Sequence, residues 1–409
     1  MQFINKYALV GCLVLPAAAV AQINIFSPGD LIRSSDMNDN FRHLSIMAKE
    51  AAHVGPGISV NCEDDVSALN YALDEGYTEI RITAGICQIK EQITNQSLAI
   101  IGSRDDDGSI KSAIISSSAE FQTYNTNLTL VDLKVLTPLV TSNGNVILLR
   151  STFGCNESVD GKSNPTFKSY MSAVFARESN FKGCAGIDLR AGATMNVILS
   201  SIEPASDENA LYIDQTSSIV SERTDFLSQS ATRQWQISLN GDAIFRNSLI
   251  KGGIYANGAR ATLQEIEFKD NGTGELRLAA HFGSYFVIKN SKFSNAEISS
   301  FEGGNIHIVH DPSEIHDNIN FQIDNGRLSF GGAFRGRNIS ASLTNLSYAT
   351  LGNWEAGYSQ IVNESSFLLG YSSYLKTFEA GAIEGYSVSC FDDLALSEFS
   401  DGISCTQPR

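Results

Sequence analysis

Beyond residue 21 the chain contains no apolar run approaching the roughly 20 residues that a membrane-spanning helix needs, so no later segment reads as a span. Basic residues are scarce. The 29 Lys and Arg stand against 45 Asp and Glu, giving a net charge of -16. With no dense basic patch, nucleic acid is excluded as an expected partner. A polyanionic substrate would be repelled by the global field and would have to be met by a local basic strip. No pair of cysteines shows the C-x-x-C spacing of a metal site. Histidine is sparse as well: six residues, four of them between His281 and His316.

What the chain does have is a returning phrase: an alternating apolar run, a small hydroxyl residue, one arbitrary residue, then a large apolar one. It reads Ser151-Thr152-Phe153, Ser179-Asn180-Phe181, Ser200-Ser201-Ile202, Thr224-Asp225-Phe226, Ser248-Leu249-Ile250 and Ser291-Lys292-Phe293, with a looser copy at Ile266-Glu267-Phe268. A period of about 23 residues means stacked supersecondary units, none able to bury its apolar face alone. A second alternating strand recurs at Ile187-Asp188-Leu189, Leu211-Tyr212-Ile213, Ile237-Ser238-Leu239, Ile254-Tyr255-Ala256 and Leu276-Arg277-Leu278. Alternation of period two puts one face inward and one outward. Stacked coils then predict a buried column of Phe153, Phe181, Ile202, Phe226, Ile250, Phe268 and Phe293. After about residue 320 the pattern loosens into shorter strands such as 319–323 and 338–343.

The first residues read as a transport signal covering 1–21: Lys6, an apolar stretch from Tyr7 to Val20, and a small-x-small site at Ala19-Val20-Ala21. Leu9-Val10-Gly11-Cys12 also resembles a lipoprotein processing site, although the apolar run continues past that cut. The mature protein is expected to be secreted or periplasmic. Setting Cys12 aside, Cys62, Cys87, Cys155, Cys184, Cys390 and Cys405 remain. An even count in an exported chain suggests disulfides, although six thiols allow 15 pairings. Cys155 and Cys184 hold nearly the same place in consecutive units, and coils about 4.8 Å apart lie within the Cα separation that a disulfide tolerates. That predicts Cys155 with Cys184, and beside it Cys62 with Cys87 and Cys390 with Cys405.

Residues 22–55 form a separate helical segment in this reading, with Met37, Phe41, Leu44 and Met47 or Ala48 at helical spacing. Its phrase from Phe26 to Leu44 resembles short N-terminal elements of exported bacterial and phage tail proteins. It is either a helix packed on the body or a route to a homo-oligomer. Next, a strand ends in Cys62, and a helix from Asp64 to Glu75 carries Val66, Leu69 and Leu73 on one face. A strand from Glu79 to Thr83 then leads to Gly85-Ile86-Cys87. This succession resembles the opening of the right-handed parallel β-helix, the pectate-lyase-like superfamily, and the repeats carry the resemblance to about residue 375. The resemblance implies an all-β, single right-handed parallel β-helix over 56–385, with an N-terminal capping helix and a C-terminal covering tail over 386–409. No enzyme family within the superfamily matches. The ordered N-T-D, G-H-G and R-I-K motifs and the Arg-x-Pro-x-x-Arg pattern are missing, and His310-Asp311-Pro312 departs from the D-P-H-D order of the uronate epimerases.

Candidate site residues come from the columns. Two positions before the hydroxyl, on the outward side, the coils carry Arg177, Ile198, Glu222, Arg246, Gln264 and Lys289. The next coil is expected to place His310 there. A strip of Arg246, Gln264, Lys289 and His310, with Glu222 beside it and Arg277 on the second strand, suits sugar hydroxyls and carboxylates. Lys289, His310 and Asp311 are the candidate catalytic groups, because a base beside a carboxylate can abstract a proton, as a polysaccharide lyase requires. The same strip also suits a solvated outer face whose alternating charges avoid like-charge stacking. Asp105-Asp106-Asp107-Gly108 lacks the ligand spacing of a dedicated calcium loop. Trp354, Tyr358, Tyr371 and Tyr374 offer either a sugar-stacking surface or packing for the tail. No cofactor or metal is implied. Two functions follow: an exported protein that recognises, and on the enzymatic reading cleaves, an extracellular polysaccharide or cell-surface glycan, or a non-catalytic surface, adhesion or tail-fibre-like protein.

Overall fold

A computed structural model describes residues 57–154, 165–183, 185–205, 208–227, 235–270, 276–309, 316–330, 335–345 and 347–351, with short backbone strands at 360–362, 366–369, 374–377, 387–390 and 396–398. The expected signal and the helical segment over 22–55 lie outside the described residues. What is described is a parallel β-solenoid of about 11 turns. Through the turn that ends sheet B at Glu267–Lys269, the turns place strands in three parallel sheets, A, B and C; from Leu276 onward the strands belong to C and A. One turn runs Ala173–Arg177 in sheet A, Asn180–Gly183 in B and Ala185–Arg190 in C, and the next runs Thr194–Ile198, Ser201–Pro204 and Leu211–Ile213.

The first strand, β1 (Gly57–Asn61), pairs in parallel with β2 (Glu79–Ile89). Between them lies α1 (Ala68–Asp74), which buries Leu69, Ala72 and Leu73. The helix starts later than Asp64, and Val66 falls in the turn before it, 56% exposed rather than on the buried face. β2 is longer than Glu79–Thr83 because the chain does not stop at Gly85. That residue, at φ 87°, turns the strand from sheet A into sheet B, and a Cβ there would lie 2.4 Å from the backbone nitrogen of Glu63. Cys62 and Cys87 sit at bonding distance with Cα atoms 5.1 Å apart, joining the first two strands. Cys155, Cys184 and Cys405 lie outside the described residues, and of Cys390 only its strand position is described.

The expected interior column is present. Val135, Phe153, Phe181, Ile202, Phe226, Ile250 and Phe268 follow one another in register through sheet B, and all are buried. Phe293 follows through the bridge of Glu267 to Lys292. Phe153 and Phe181 stack with ring centroids 5.0 Å apart. Burying each such side chain is worth about 1.5–3 kcal/mol. Strands His316–Asp324 and Arg335–Thr344 carry sheet C onward. Ser387–Cys390 pairs with Ser366–Leu369, and Leu396–Glu398 with Tyr374–Thr377, so parallel pairing continues into the segment expected to be a covering tail.

The hydroxyl in the repeat has a specific duty at the A-to-B corner. The residue before it takes a left-handed conformation in every copy: Arg150, Glu178, Leu199, Arg223, Asn247, Glu265 and Asn290, with φ from 44° to 55°. That conformation is costly for a residue with a side chain. It turns the next backbone N–H along the stack, where the hydroxyl of the following coil accepts it in the coils that carry one; the coil after Ser248 has Ile266 instead. Thr224 N–H donates to Ser248 Oγ (3.1 Å) and Ile266 N–H to Ser291 Oγ (3.1 Å). Each hydroxyl in turn donates two residues back along its own coil, Ser248 to Arg246 O (2.8 Å) and Ser291 to Lys289 O (2.9 Å). The C-to-A corner repeats the device with Ser172, Ser217 and Ser284, which accept from Gly144, Ala193 and Ala259.

Replacing Ser248 with Ala should strand the buried Thr224 N–H and lower stability by about 1–3 kcal/mol, and Phe226→Ala should cost about 3–5 kcal/mol. Urea unfolding midpoints check both, and a Ser248→Ala protein as stable as wild type would contradict the corner assignment.

Candidate functional site

Sheet A strands present alternate residues outward, which makes three parallel columns on its solvent face. The column nearest the corner reads Arg177, Ile198, Glu222, Arg246, Gln264 and Lys289 in unbroken register. Adjacent members are therefore one strand spacing apart, about 4.8 Å. Among the described residues neither Arg246 nor Lys289 makes an ion pair; Lys289 is exposed and Arg246 half-buried. Gln264 Nε2 donates to Glu265 Oε1 at 3.4 Å, a long contact.

The next position in the column belongs to Val309, not to His310. Inward Ile306 and Ile308 set the phase of that strand, so 305, 307 and 309 point outward. His310 follows the strand and, with Asp311, lies outside the described residues. The histidine that the fold does bring to this face is His307, in the middle column one position inboard of Lys289. Its Nδ1 lies 2.9 Å from Ser329 Oγ on the next strand. Burial, then the neighbouring charges of Lys289 and Arg327, hold its pKa below the ordinary imidazole value of 6.5, which favours the neutral ring. The outer column carries Asp242 and Arg260 on adjacent strands. Burial raises the Asp242 carboxyl above its usual range, with Arg260 opposing. Arg277 is not on this face. It lies in sheet C, opposite Glu297 with the charged groups 3.8 Å apart.

A feature that column counting missed runs along the outside of sheet C. Trp235, Tyr255, His281 and Phe301 come from four consecutive turns, with ring centroids 5.6, 5.0 and 4.8 Å apart in sequence. Ring faces are turned towards one another at tilts of 57°, 43° and 36°, so the rings pack mainly on each other. The row therefore clamps successive turns. Trp354, Tyr358 and Tyr371 lie outside the described residues, and of Tyr374 only the strand position is described. At the acidic turn, Asp107 accepts from the Ser109 N–H at 2.8 Å, which lowers its pKa and stabilises the turn itself.

No family model and no curated protein sequence matches the chain. Among solved structures, the crystal structure of the Agl-KA catalytic domain aligns over 85% of this chain and 69% of that one, at 13% identity and a TM-score of 0.20. Nothing about activity is carried over from a likeness of that size. Among the described residues no helix is long and apolar enough to cross a membrane.

The His307 environment gives a pH test. With a folded pKa below 6.5, the unfolded chain binds the proton first as pH falls, so His307 contributes to a loss of stability below about pH 6.5. In Lys289→Ala the His307 titration, followed by NMR, should move upward; an unchanged midpoint would mean that Lys289 does not face the ring.

Proposed function

We propose that this chain is an exported, right-handed parallel β-solenoid that recognises an extracellular acidic polysaccharide along the outer face of sheet A. The observation that carries the reading is the register of Glu222, Arg246, Gln264 and Lys289 on four consecutive strands. On a protein of net charge -16, two cations with no ion pair among the described residues and a carboxamide at strand spacing form a local donor strip that an extended anionic chain can follow. Export is supported by the signal-like run ending at Ala21 and by Cys62 and Cys87 at bonding distance, which suits an oxidising compartment. The right-handed sense follows from the near-universal preference of parallel crossovers. The pairings Cys155 with Cys184 and Cys390 with Cys405, the covering role of α1 and assembly through residues 22–55 belong to the same proposal.

The register favours recognition without cleavage, as in a surface or adhesion protein, because Val309 rather than His310 stands next to Lys289. A panel of uronic-acid polysaccharides tests both parts. Wild type should be retarded in gels containing an acidic polymer and not in gels containing its neutral counterpart. Arg246→Ala and Lys289→Ala should each weaken that retardation severalfold at low salt, and the difference from wild type should shrink as salt rises. Ultraviolet absorbance of unsaturated products should stay flat. A rise abolished by Lys289→Ala would establish a lyase instead, and equal retardation of both variants and wild type would remove the strip.

A further inference from the structure

A concave feature lies at the other side of the A-to-B corner, near the start of the solenoid. Residues 104–110 form an overhanging turn closed by an antiparallel bridge between Arg104 and Ile110. Arg104 latches it: Nε donates to Asp132 Oδ1 (2.6 Å), Nη1 to Gly108 O (2.7 Å) and Nη2 to Arg150 O (3.1 Å). From the corner, Arg150 donates through Nε and Nη2 to the same Asp132 carboxylate at 2.9 and 2.7 Å. Burial works against that carboxylate's charge, but hydrogen bonds from Arg150 and Arg104 outweigh it and hold the pKa low. Under the overhang is a cleft of about 460 Å³. Its floor is the outward column of sheet B, where Lys134, Thr152 and Asn180 are in register on consecutive strands.

Charge and shape together select a ligand class. Arg104, Lys134 and Arg150 are opposed by Asp132, which both arginines hold, and by Glu178, which accepts from Arg177. Asp105, Asp106 and Asp107 stand on the overhang but do not line the cleft, and Asp105 is paired with Lys111. Among the described residues Lys134 has no ion-pair partner, and Nη1 of Arg150 makes no hydrogen bond. Beside these cations stand the hydroxyls of Ser109 and Thr152, the carboxamide of Asn180 and the apolar side chain of Ile110. We infer that this cleft is a second glycan site, which takes one monoanionic, polyhydroxylated unit, a sugar acid, with its carboxylate on Lys134 and Arg150. The hydroxyls of such a unit meet Thr152 and Asn180, and its C–H face lies on Ile110. The cleft is open to solvent, and its volume can seat one sugar unit against the floor. The inference rests on the reading of the protein as a glycan binder and places one sugar unit away from the sheet A strip.

Calorimetry on the full chain tests it, with trigalacturonate, its neutral methyl ester and inorganic sulfate as the three probes. Trigalacturonate should bind, the ester should not, and sulfate should bind far more weakly because it leaves Thr152, Asn180 and Ile110 unused. Lys134→Ala, an exposed substitution that breaks no contact, should weaken trigalacturonate at this site by about tenfold with an unchanged melting temperature. Undiminished affinity in Lys134→Ala overturns the site, as does sulfate binding as tight as trigalacturonate, or no binding by wild type. Lys289→Ala separates the two proposals. Loss there with Lys134→Ala intact keeps the sheet A strip and removes the cleft, and the reverse pattern keeps the cleft and removes the strip.

Discussion

The corner between sheets A and B is where a stack of parallel coils is hardest to close. Strand ladders satisfy the backbone on either side, but the bend aims one N–H per turn along the axis with no carbonyl to meet it. Buried and unpaired, such a group costs as much as a lost hydrogen bond. The hydroxyl of the following coil removes that penalty, and it does so only if the coils stay in register. Satisfaction of the corner and alignment of the columns are therefore one constraint. The interior row from Phe153 to Phe293 and the outward row from Arg177 to Lys289 both inherit their order from it.

This explains what was legible in the sequence. Hydroxyl, spacer and large apolar residue are chemically demanding positions, so their types repeat and the column can be counted. The left-handed residue before the hydroxyl is equally constrained in its backbone, yet Arg150, Leu199 and Glu265 share no side-chain type that would reveal it. His310 was misplaced for a related reason: its coil lacks the hydroxyl from which the outward position is counted. The alternation of Ile306 and Ile308 carries the correct phase and puts His307 and Val309 outward. The aromatic row escaped because its members do not share one register position. Tyr255 aligns with Ala279, not with His281, and the rings meet diagonally.

Because the interior is fully committed to stacking, chemistry is left to the outer faces and corners. An acidic protein can still meet an anionic polymer if its few cations are gathered. In this chain Arg246 and Lys289 are gathered by strand register, while Arg104 and Arg150 are gathered by a shared carboxylate. Neither grouping could be read from composition, which reports the charges and not their neighbours. The resemblance to the pectate-lyase-like superfamily anticipated the parallel coil, whereas the site residues depended on which position each turn presents.

Spin labels on Asn180 and Glu267 test the central claim most directly. Both project from sheet B, and Ser201, Asp225 and Leu249 stand between them in register. Four strand steps place the labels about 19 Å apart along the stack, a distance that pulsed electron resonance resolves. A narrow distribution near about 20 Å is the outcome the account predicts. A broad distribution, or one centred beyond about 35 Å, would contradict the stacked columns and remove both proposed sites with them.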